Sequence, residues 1–220
     1  MVTKLKEMGY RVTLWVYPFV NTDSEVFSKE SQYFIKAQNG STAVNGWWNG
    51  NGAHVDFTNK KAQEWFVSRL KHIQNTTGID SFKFDAGELG WVSRDFKLSD
   101  LSIEQTPVSL TQLYAQTVSQ LGNMIETRVG YKTQDLPIFV RMLDKNSEWG
   151  YNGGLQTLIP TALIMSIGGY SFVLPDMIGG NAYKNFPSKD LYIRWLQVNT
   201  LMPTLQFSIT PWDYKEASQE

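Results

Sequence analysis

The sequence contains no cysteine, so disulfide bonds, thiolate metal ligands and cysteine nucleophiles are excluded. It also has no excess of either charge, because 20 Lys and Arg residues oppose 21 Asp and Glu residues and leave a net charge of -1. Nucleic-acid-binding domains are normally basic, and membrane-surface patches need clustered cations. We therefore expect no nucleic-acid partner and no polybasic contact with a membrane.

Long hydrophobic runs are missing as well. The longest, residues 159–167, is interrupted by Thr161 and Ser166 and is too short to cross a bilayer. The first residues carry Lys4 and Lys6 in an amphipathic pattern, without the apolar core of a signal peptide. Any membrane anchor is therefore expected to lie outside this chain.

Length and composition predict a single globular domain over residues 1–220. Apolar residues make up 42% of the sequence and charged residues 19%, which is enough apolar surface for a core and too little charge for disorder. A chain of 220 residues also lies within the usual size range of one domain. The oligomeric state is not determined by these numbers.

Aromatic residues are abundant at 14%, including 8 Trp, and several lie where a core residue is not expected. Trp47 and Trp48 lie within a segment rich in Gly and Asn, residues 46–52, which has the composition of a loop. A flat apolar ring stacks on a sugar face and excludes water, so Trp48 and Trp15 are candidate sugar-binding residues. Ordinary packing under a long loop is the alternative interpretation.

Segments with strand and helix patterns alternate along the chain. The predicted strands are residues 12–16, 81–84, 124–128, 138–143, 171–174 and 204–208. The predicted helices are residues 1–9, 60–73 with Thr58 as N-cap, 109–125, 154–166 and 189–201, and residues 17–58 are predicted to be a long loop. This alternation indicates βαβ units and a mainly parallel sheet.

The strand count predicts an α/β fold, a partial (β/α)8 TIM barrel that lacks roughly its first two strands. A complete barrel of eight units typically has about 250 residues. An open doubly wound sheet is the alternative, although no Gly-rich phosphate loop follows any predicted strand. An open barrel exposes two strand edges, so we expect these residues alone to be poorly stable and inactive.

Polar residues follow the predicted strands at their carboxyl ends. Asp85, Arg128, Asp144 and Asp176 occupy such positions, which in a barrel surround one shared mouth. A single Asp at a strand end is more often a turn or capping residue. Three carboxylates and an arginine at one mouth instead favour chemistry.

Two of these carboxylates suit the hydrolysis of a glycosidic bond. That reaction needs two carboxyl groups, ~5–5.5 Å apart in retaining and ~6.5–9.5 Å apart in inverting enzymes, with one protonated and one ionised. Lys83, Arg128 or Arg141 would hold Asp85 ionised if one of them points toward it. The partly apolar sequence after Asp144 would favour its protonated form. We therefore expect the two acids to face each other across a sugar's C1 atom.

At these residues the sequence resembles glycoside hydrolase family 31. Residues 82–88 read Phe-Lys-Phe-Asp-Ala-Gly-Glu and resemble the family's nucleophile motif, in which an Asp ends a strand and a Glu follows three residues later. Arg128, Asp144 and Trp149 are similar to its arginine and acid/base block. Glu88 is expected to hydrogen-bond the loop backbone rather than to act in catalysis.

Two further motifs extend the resemblance. Residues 176–180 resemble the family's Asp-Ile-Gly-Gly element with one extra residue, and residues 194–197 resemble its Arg-Trp-x-Gln helix. The four motifs occur in the family's order and cover roughly residues 10–208. Residues 14–19 and 137–141 are most similar to the myogenesis-regulating glycosidase branch of the family.

The resemblance implies a retaining α-glycosidase that acts on a carbohydrate without a cofactor or metal. Asp85 would attack the anomeric carbon, while Asp144 would protonate the leaving oxygen and then deprotonate water. Arg128 would bind sugar hydroxyls, and Asp176 and Trp149 would line the cleft. The family also implies a location in the secretory pathway, either in the endoplasmic reticulum or outside the cell.

Three positions depart from the commoner glucosidase pattern of the family. Arg141 replaces a Trp three residues before the acid/base Asp, Asn181 replaces a Phe, and Ser208 replaces a sugar-binding His. We expect Arg141 and Ser208, together with Lys83, to belong to the substrate pocket. These changes and the branch resemblance favour α-galactosides over α-glucosides.

Two other functions remain open. In a metal-dependent barrel enzyme, Asp85, Asp144 and Asp176 would bind Mg²⁺ and a lysine, Lys83 or Lys145, would abstract a proton. In a glycan-binding module or an inactive remnant, the same fold would bind a carbohydrate without turnover. Activity in the presence of a chelator contradicts the first, and turnover contradicts the second.

Overall fold

The structure is a computed structural model that describes residues 1–100, 102 and 107–214. The chain forms two compact units, Met1–Ile138 and the part from Phe139 onward. The expectation of a single domain over residues 1–220 stays a prediction.

Helices and strands alternate through most of the described residues. The helices are α1 (Val2–Glu7), α2 (Glu25–Lys29), α3 (Lys60–Thr77), α4 (Ser109–Ser119), α5 (Leu158–Ile167) and α6 (Lys189–Asn199). The strands are β1 (Thr13–Val16), β2 (Phe19–Asn21), β3 (Val44–Trp47), β4 (Gly50–His54), β5 (Ser81–Phe84), β6 (Glu126–Thr127), β7 (Phe139–Arg141) and β8 (Val173–Leu174). No helix of the described residues is both long and apolar enough to cross a membrane.

Strands β1, β5 and β6 of the first unit pair in parallel, as the βαβ pattern predicts. Trp15 lies opposite Lys83 on β5, and Lys83 lies opposite Glu126 on β6. Side chains alternate between the two faces of a strand, so Phe82 and Phe84 share one face and Lys83 and Asp85 the other. The phenylalanines are fully buried in the core, which leaves Asp85 on the face away from it.

Helix α3 closes the first βαβ unit. Its buried residues are Ala62, Phe66, Val67 and Leu70, which are spaced to form one apolar face against the sheet. The N-cap is Asn59, whose side chain accepts the Lys61 amide at 3.0 Å. The prediction that Thr58 is the N-cap is wrong, because the Thr58 amide and hydroxyl both donate to the carboxylate of the buried Asp56.

The largest departure from the sequence prediction is a second sheet within residues 17–58. Strands β2, β4 and β3 form a three-stranded antiparallel sheet in that order. Strands β3 and β4 are rich in Gly and Asn, which are typical of turns and depleted in strands. Packing of Phe19 on Trp47, with ring centroids 4.8 Å apart, joins β2 to β3 across the sheet, and no local pattern encodes that contact.

The second unit contains the parallel pair β7 and β8, with Val140 opposite Val173. Helix α5 begins at Leu158, so Pro160 lies in its first turn, where the missing amide costs no helical hydrogen bond. The core is formed by Met142, Leu158, Val173, Ile178, Leu191, Tyr192, Trp195 and Ile209.

Some predicted boundaries in both units are wrong. Helix α4 ends at Ser119 rather than at residue 125, since residues 123–125 lead into β6. Residues 204–208 have no strand geometry, although the Gln206 carbonyl accepts the Ile178 amide at 2.9 Å. One backbone bond anchors that segment without making the repeated ladder of a strand.

Candidate active site

Asp85 directly follows β5, and several groups hold its carboxylate in one orientation. Its Oδ2 accepts the indole N–H of Trp15 at 2.9 Å. Its Oδ1 accepts the Ala86 amide at 3.1 Å and lies 3.1 Å from Nη1 of Arg128. The side chain is almost fully buried, which suits a group that must meet a substrate atom in a defined direction.

The turn after Asp85 has an uncommon backbone. Ala86 has a φ of +59° and Gly87 a φ of +100°. A Cβ atom on Gly87 would lie 2.6 Å from the Tyr114 ring, so only glycine fits there. The Tyr114 hydroxyl donates to the Asp85 carbonyl at 3.0 Å and fastens the turn to α4. Strained turns that are held from outside cluster at functional sites, and this one aims the carboxylate.

Arg128 links Asp85 to Glu88. Its Nε and Nη2 donate to the two oxygens of Glu88 at 2.6 and 3.2 Å, while Nη1 faces Asp85. The guanidinium also lies over the Trp48 ring, 5.2 Å from its centroid. Glu88 therefore binds this arginine side chain, and the expectation that it serves the loop backbone is wrong. The available signal was that Glu88 lies in the loop after β5, while Arg128 directly follows the neighbouring strand β6.

Lys83 lies on the same face of the sheet as Asp85. Its ammonium pairs with the Glu126 carboxylate at 2.9 Å, as the register of β5 and β6 dictates. The cation that pairs with the Asp85 carboxylate is therefore Arg128. Lys83, two residues earlier on β5, pairs with Glu126. A sugar contact of Lys83 stays a prediction.

Aromatic side chains form a continuous group beside Asp85. Trp48 contacts Trp15, Trp47 and Trp91, with ring centroids 6.4, 5.1 and 5.1 Å apart. Trp15 and Trp48 remain 41% and 44% exposed, so they are not core residues. Exposed indoles next to an oriented carboxylate are suited to stacking on a sugar ring.

Asp144 lies three residues after the end of β7, and two side chains hold its carboxylate. Nη1 of the buried Arg141 donates to Oδ1 at 2.9 Å, and the Tyr183 hydroxyl donates to Oδ2 at 2.6 Å. Although Tyr183 is 66% exposed as a whole, desolvation of its hydroxyl, followed by the bond and the charge of Asp144, raises the pKa of Tyr183 above its usual value. Tyr183 is therefore a protonated donor at neutral pH. No sequence motif marks Tyr183, because it lies in a polar loop outside the segments that resemble the family.

Asp176 is fully buried and holds other residues of the site in place. Its Oδ1 accepts Nη1 of Arg141 at 2.8 Å, and its Oδ2 accepts the Lys145 amide and the Asn181 side chain, both at 2.8 Å. Burial raises the pKa of Asp176, and the Arg141 charge opposes that shift. Its φ of +56° is a second strained position at a strand end. The predicted contact of Asp176 with a sugar stays a prediction.

Three other residues of interest lie at different depths in the second unit. Trp149 is exposed in the loop after Asp144, and Ser208 is exposed after α6, so their sugar contacts stay predictions. Lys145 is buried and donates to Thr157 Oγ1 at 2.9 Å, and burial lowers its pKa. Within the described residues, no three His, Asp or Glu side chains come together in a way that could hold a metal ion.

The chain is similar to several known proteins over almost its whole length. The profile of the glycosyl hydrolases family 31 TIM-barrel domain matches residues 1–219. The myogenesis-regulating glycosidase of Mus musculus is 42% identical over 97% of this chain and 31% of its own length. The SITS-binding protein of Tetronarce californica is 29% identical over 94% of this chain and 31% of its own length. The chain thus spans about a third of the length of these two relatives.

Solved structures agree on the fold. A GH31 family sulfoquinovosidase from E. rectale superposes with a TM-score of 0.83 at 22% identity, over 98% of this chain and 35% of that one. A cycloalternan-degrading enzyme from Trueperella pyogenes gives the same TM-score and identity, over 99% and 34% of the two chains. These likenesses confirm the α/β TIM-barrel architecture over the doubly wound alternative. The chain belongs to glycosyl hydrolase family 31, and it forms part of that family's TIM-barrel domain, as the prediction of a partial barrel has it.

Proposed function

We propose that this chain carries the catalytic side chains of a retaining α-glycosidase, with Asp85 as nucleophile and Asp144 as general acid and base. The observation that carries the proposal is the Asp85 carboxylate, which three donors orient at the end of a strand within the family's nucleophile motif. Fixing a nucleophile before the substrate arrives removes much of the entropy cost of reaching the transition state.

The proposed reaction has two steps. In the first, an Asp85 oxygen bonds to the anomeric carbon, the bond to the leaving oxygen breaks, and the protonated Asp144 gives its proton to that oxygen. In the second, the ionised Asp144 takes a proton from water as the water oxygen bonds to the same carbon, and Asp85 leaves as a carboxylate. Two inversions give net retention.

The charges favour a neutral sugar as substrate. Lys83 faces Glu126, Arg128 faces Asp85 and Glu88, and Arg141 faces Asp144 and Asp176. Because each of these cations already has at least one carboxylate partner, a charged sugar substituent would have to displace one. A neutral hexoside or pentoside avoids that cost.

We further propose α-galactosides as the substrate class. Arg141, Asn181 and Ser208 replace residues that the commoner glucosidase pattern uses in the sugar pocket, so an unmodified glucosidase pocket is not retained. Arg141 in particular is buried and bonded to both Asp144 and Asp176, so its replacement of a Trp changes the hydrogen-bonding groups around the acid.

The experiment is hydrolysis of aryl α-galactoside, α-glucoside and α-xyloside by the full-length protein, with Asp85→Asn as the inactive control. A fluorinated galactosyl trapping reagent should label the peptide that contains Asp85, as found by mass spectrometry. Turnover of the glucoside alone contradicts the galactoside class, and inverted product contradicts the covalent mechanism. Carbohydrate binding without any turnover by the wild type favours the binding-module alternative instead.

The location of the protein is a separate proposal. We propose the secretory pathway, supported by the family resemblance and not by any feature of the described fold. Microscopy of the tagged full-length protein with an endoplasmic-reticulum marker tests it. Uniform cytosolic signal contradicts it without affecting the proposed chemistry.

A further inference from the structure

The segment 176–183 is fastened along the loop that begins at Asp144. The Asn181 amide donates to the Lys145 carbonyl at 2.9 Å, and the Ala182 amide donates to Ser147 Oγ at 2.9 Å. The backbones also touch, because a Cβ atom on Gly180 would lie 2.7 Å from the backbone of Asn146. The two stretches of chain therefore hold each other in one arrangement.

This arrangement ends in the contact between Tyr183 and Asp144. Ala182 has a φ of +52°, an uncommon conformation for a residue with a side chain, and Tyr183 follows it directly. The Tyr183 hydroxyl lies 2.6 Å from Oδ2 of Asp144, while Arg141 occupies Oδ1 at 2.9 Å. A strained residue immediately before a functional contact indicates that the contact is built into the loop.

The chemistry of the two partners assigns the oxygen that carries the proton of Asp144. Arg141 is positively charged and has only donors, and its Nη1 already donates to Oδ1. A proton on Oδ1 would therefore face a cation that cannot accept it. The Tyr183 hydroxyl can donate to Oδ2 in both protonation states, because a protonated carboxyl oxygen keeps a lone pair that accepts this bond while its own hydrogen points elsewhere. The proton of the acid form therefore belongs on Oδ2, the oxygen that Tyr183 touches.

We propose that Tyr183 is a positioning residue that fixes Oδ2 of Asp144 so that its proton faces the leaving oxygen of the glycoside. The inference rests on the proposed function, since it assigns a partner to the proposed acid/base. Tyr183 itself transfers no proton to the substrate. It keeps the carboxyl plane in one orientation through both protonation states of the cycle.

Leaving groups of different basicity separate this role from a general structural one. A dinitrophenyl group departs without protonation, whereas an alkyl or sugar alcohol needs the acid. The test therefore measures kcat/KM of the full-length protein on dinitrophenyl and methyl glycosides of one sugar. The variants are Tyr183→Phe, Asp144→Ala and the control Tyr151→Phe, whose residue is 76% exposed in the same unit.

Tyr183→Phe should lower kcat/KM on the methyl glycoside about tenfold, the effect of one lost bond to a charged group. The dinitrophenyl glycoside should change less than about twofold, because its departure does not depend on the acid. Asp144→Ala should show the same selectivity with a larger loss, and Tyr151→Phe should match the wild type. An equal loss of Tyr183→Phe on both substrates, or no loss on either, overturns the inference while leaving the function intact. An Asp144→Ala variant without leaving-group selectivity overturns the proposed function itself.

Discussion

The two units present their carboxylates in different ways. Asp85 is held by Trp15 on β1 and by Arg128 after β6, and its side chain is 12% exposed. Asp144 is held by Arg141, three residues before it, and by Tyr183 on a loop, and its side chain is 35% exposed. Sheet register fixes the first carboxylate, and contacts between loops fix the second. The contrast fits the proposed roles, in which Asp85 as nucleophile stays in place and Asp144 as acid meets both a leaving group and water.

The largest expected effect comes from the carboxylate that the sheet fixes. Asp85→Asn removes the charge that would bond to the sugar while keeping the size of the side chain. We expect kcat to fall at least about 1,000-fold. The matched control, Asp23→Asn, changes an exposed carboxylate of the same unit and should leave kcat unchanged. A residual rate above a tenth of the wild type would remove Asp85 from the mechanism.

The next effect distinguishes the stabilities of the two units. His54 is buried and burial lowers its pKa to about 4, against about 6.5 in an unfolded chain. The unfolded chain binds the proton first, so stability is lost as the pH falls from about 6.5 toward 4, by up to about 3 kcal/mol. The second unit contains no histidine. Hydrogen exchange should therefore show β4 losing protection over this range.

The control for that measurement is His54→Phe, which keeps an aromatic ring between Phe19 and Phe57. This variant should flatten the dependence between pH 6.5 and 4 in β4. Equal loss of protection in wild type and variant would show that carboxylates, rather than His54, control acid stability there.

A smaller effect tests the turn that aims Asp85. Gly87→Ala would place a methyl group 2.6 Å from the buried Tyr114 ring at a positive φ. We expect a loss of about 2 kcal/mol in the free energy of unfolding, seen as faster hydrogen exchange in α4. Gly90→Ala is the control, because nothing lies within 4 Å of the place that its new methyl group would take. Equal behaviour of the two variants would mean that the turn relaxes freely.

The smallest effect concerns the partner of Arg128. Glu88→Gln keeps the shape of the side chain but removes the negative charge to which Nε and Nη2 of Arg128 donate. We expect kcat/KM to fall about tenfold, the range of one charge-assisted bond. The exposed pair of Glu25 and Lys29 supplies the control, Glu25→Gln, which should have no effect. If the Glu88→Gln loss persists unchanged in an Arg128→Ala background, Glu88 does not act through Arg128.

Elements with a local signal could be predicted, and elements that depend on distant contacts could not. The strand Ser81–Phe84 confirms its prediction, because aromatic residues at alternate positions indicate a strand with one face in the core, where Phe82 and Phe84 are buried. Strands β3 and β4 were missed because their Gly and Asn residues have low strand propensity, and packing of Trp47 on Phe19 stabilises them instead. For residues 204–208 the prediction of a strand was wrong for the opposite reason, since a local strand pattern is present but the packing that would stabilise a strand is not. The apolar alternation is there, but Leu205 and Phe207 are exposed.

The order of residues along the chain was enough to indicate which side chains lie at the ends of the parallel strands, because strand periodicity and motif spacing are local properties. On that basis the sequence alone indicates Asp85, Arg128 and Asp144 as candidate site residues. The pairing of each donor with its acceptor came from the folded chain alone. Trp15 reaches Asp85 across 70 residues, and Tyr183 reaches Asp144 across 39. A hydrogen bond forms only within about 3 Å and a narrow range of angles, which sheet register and loop closure set and local sequence does not.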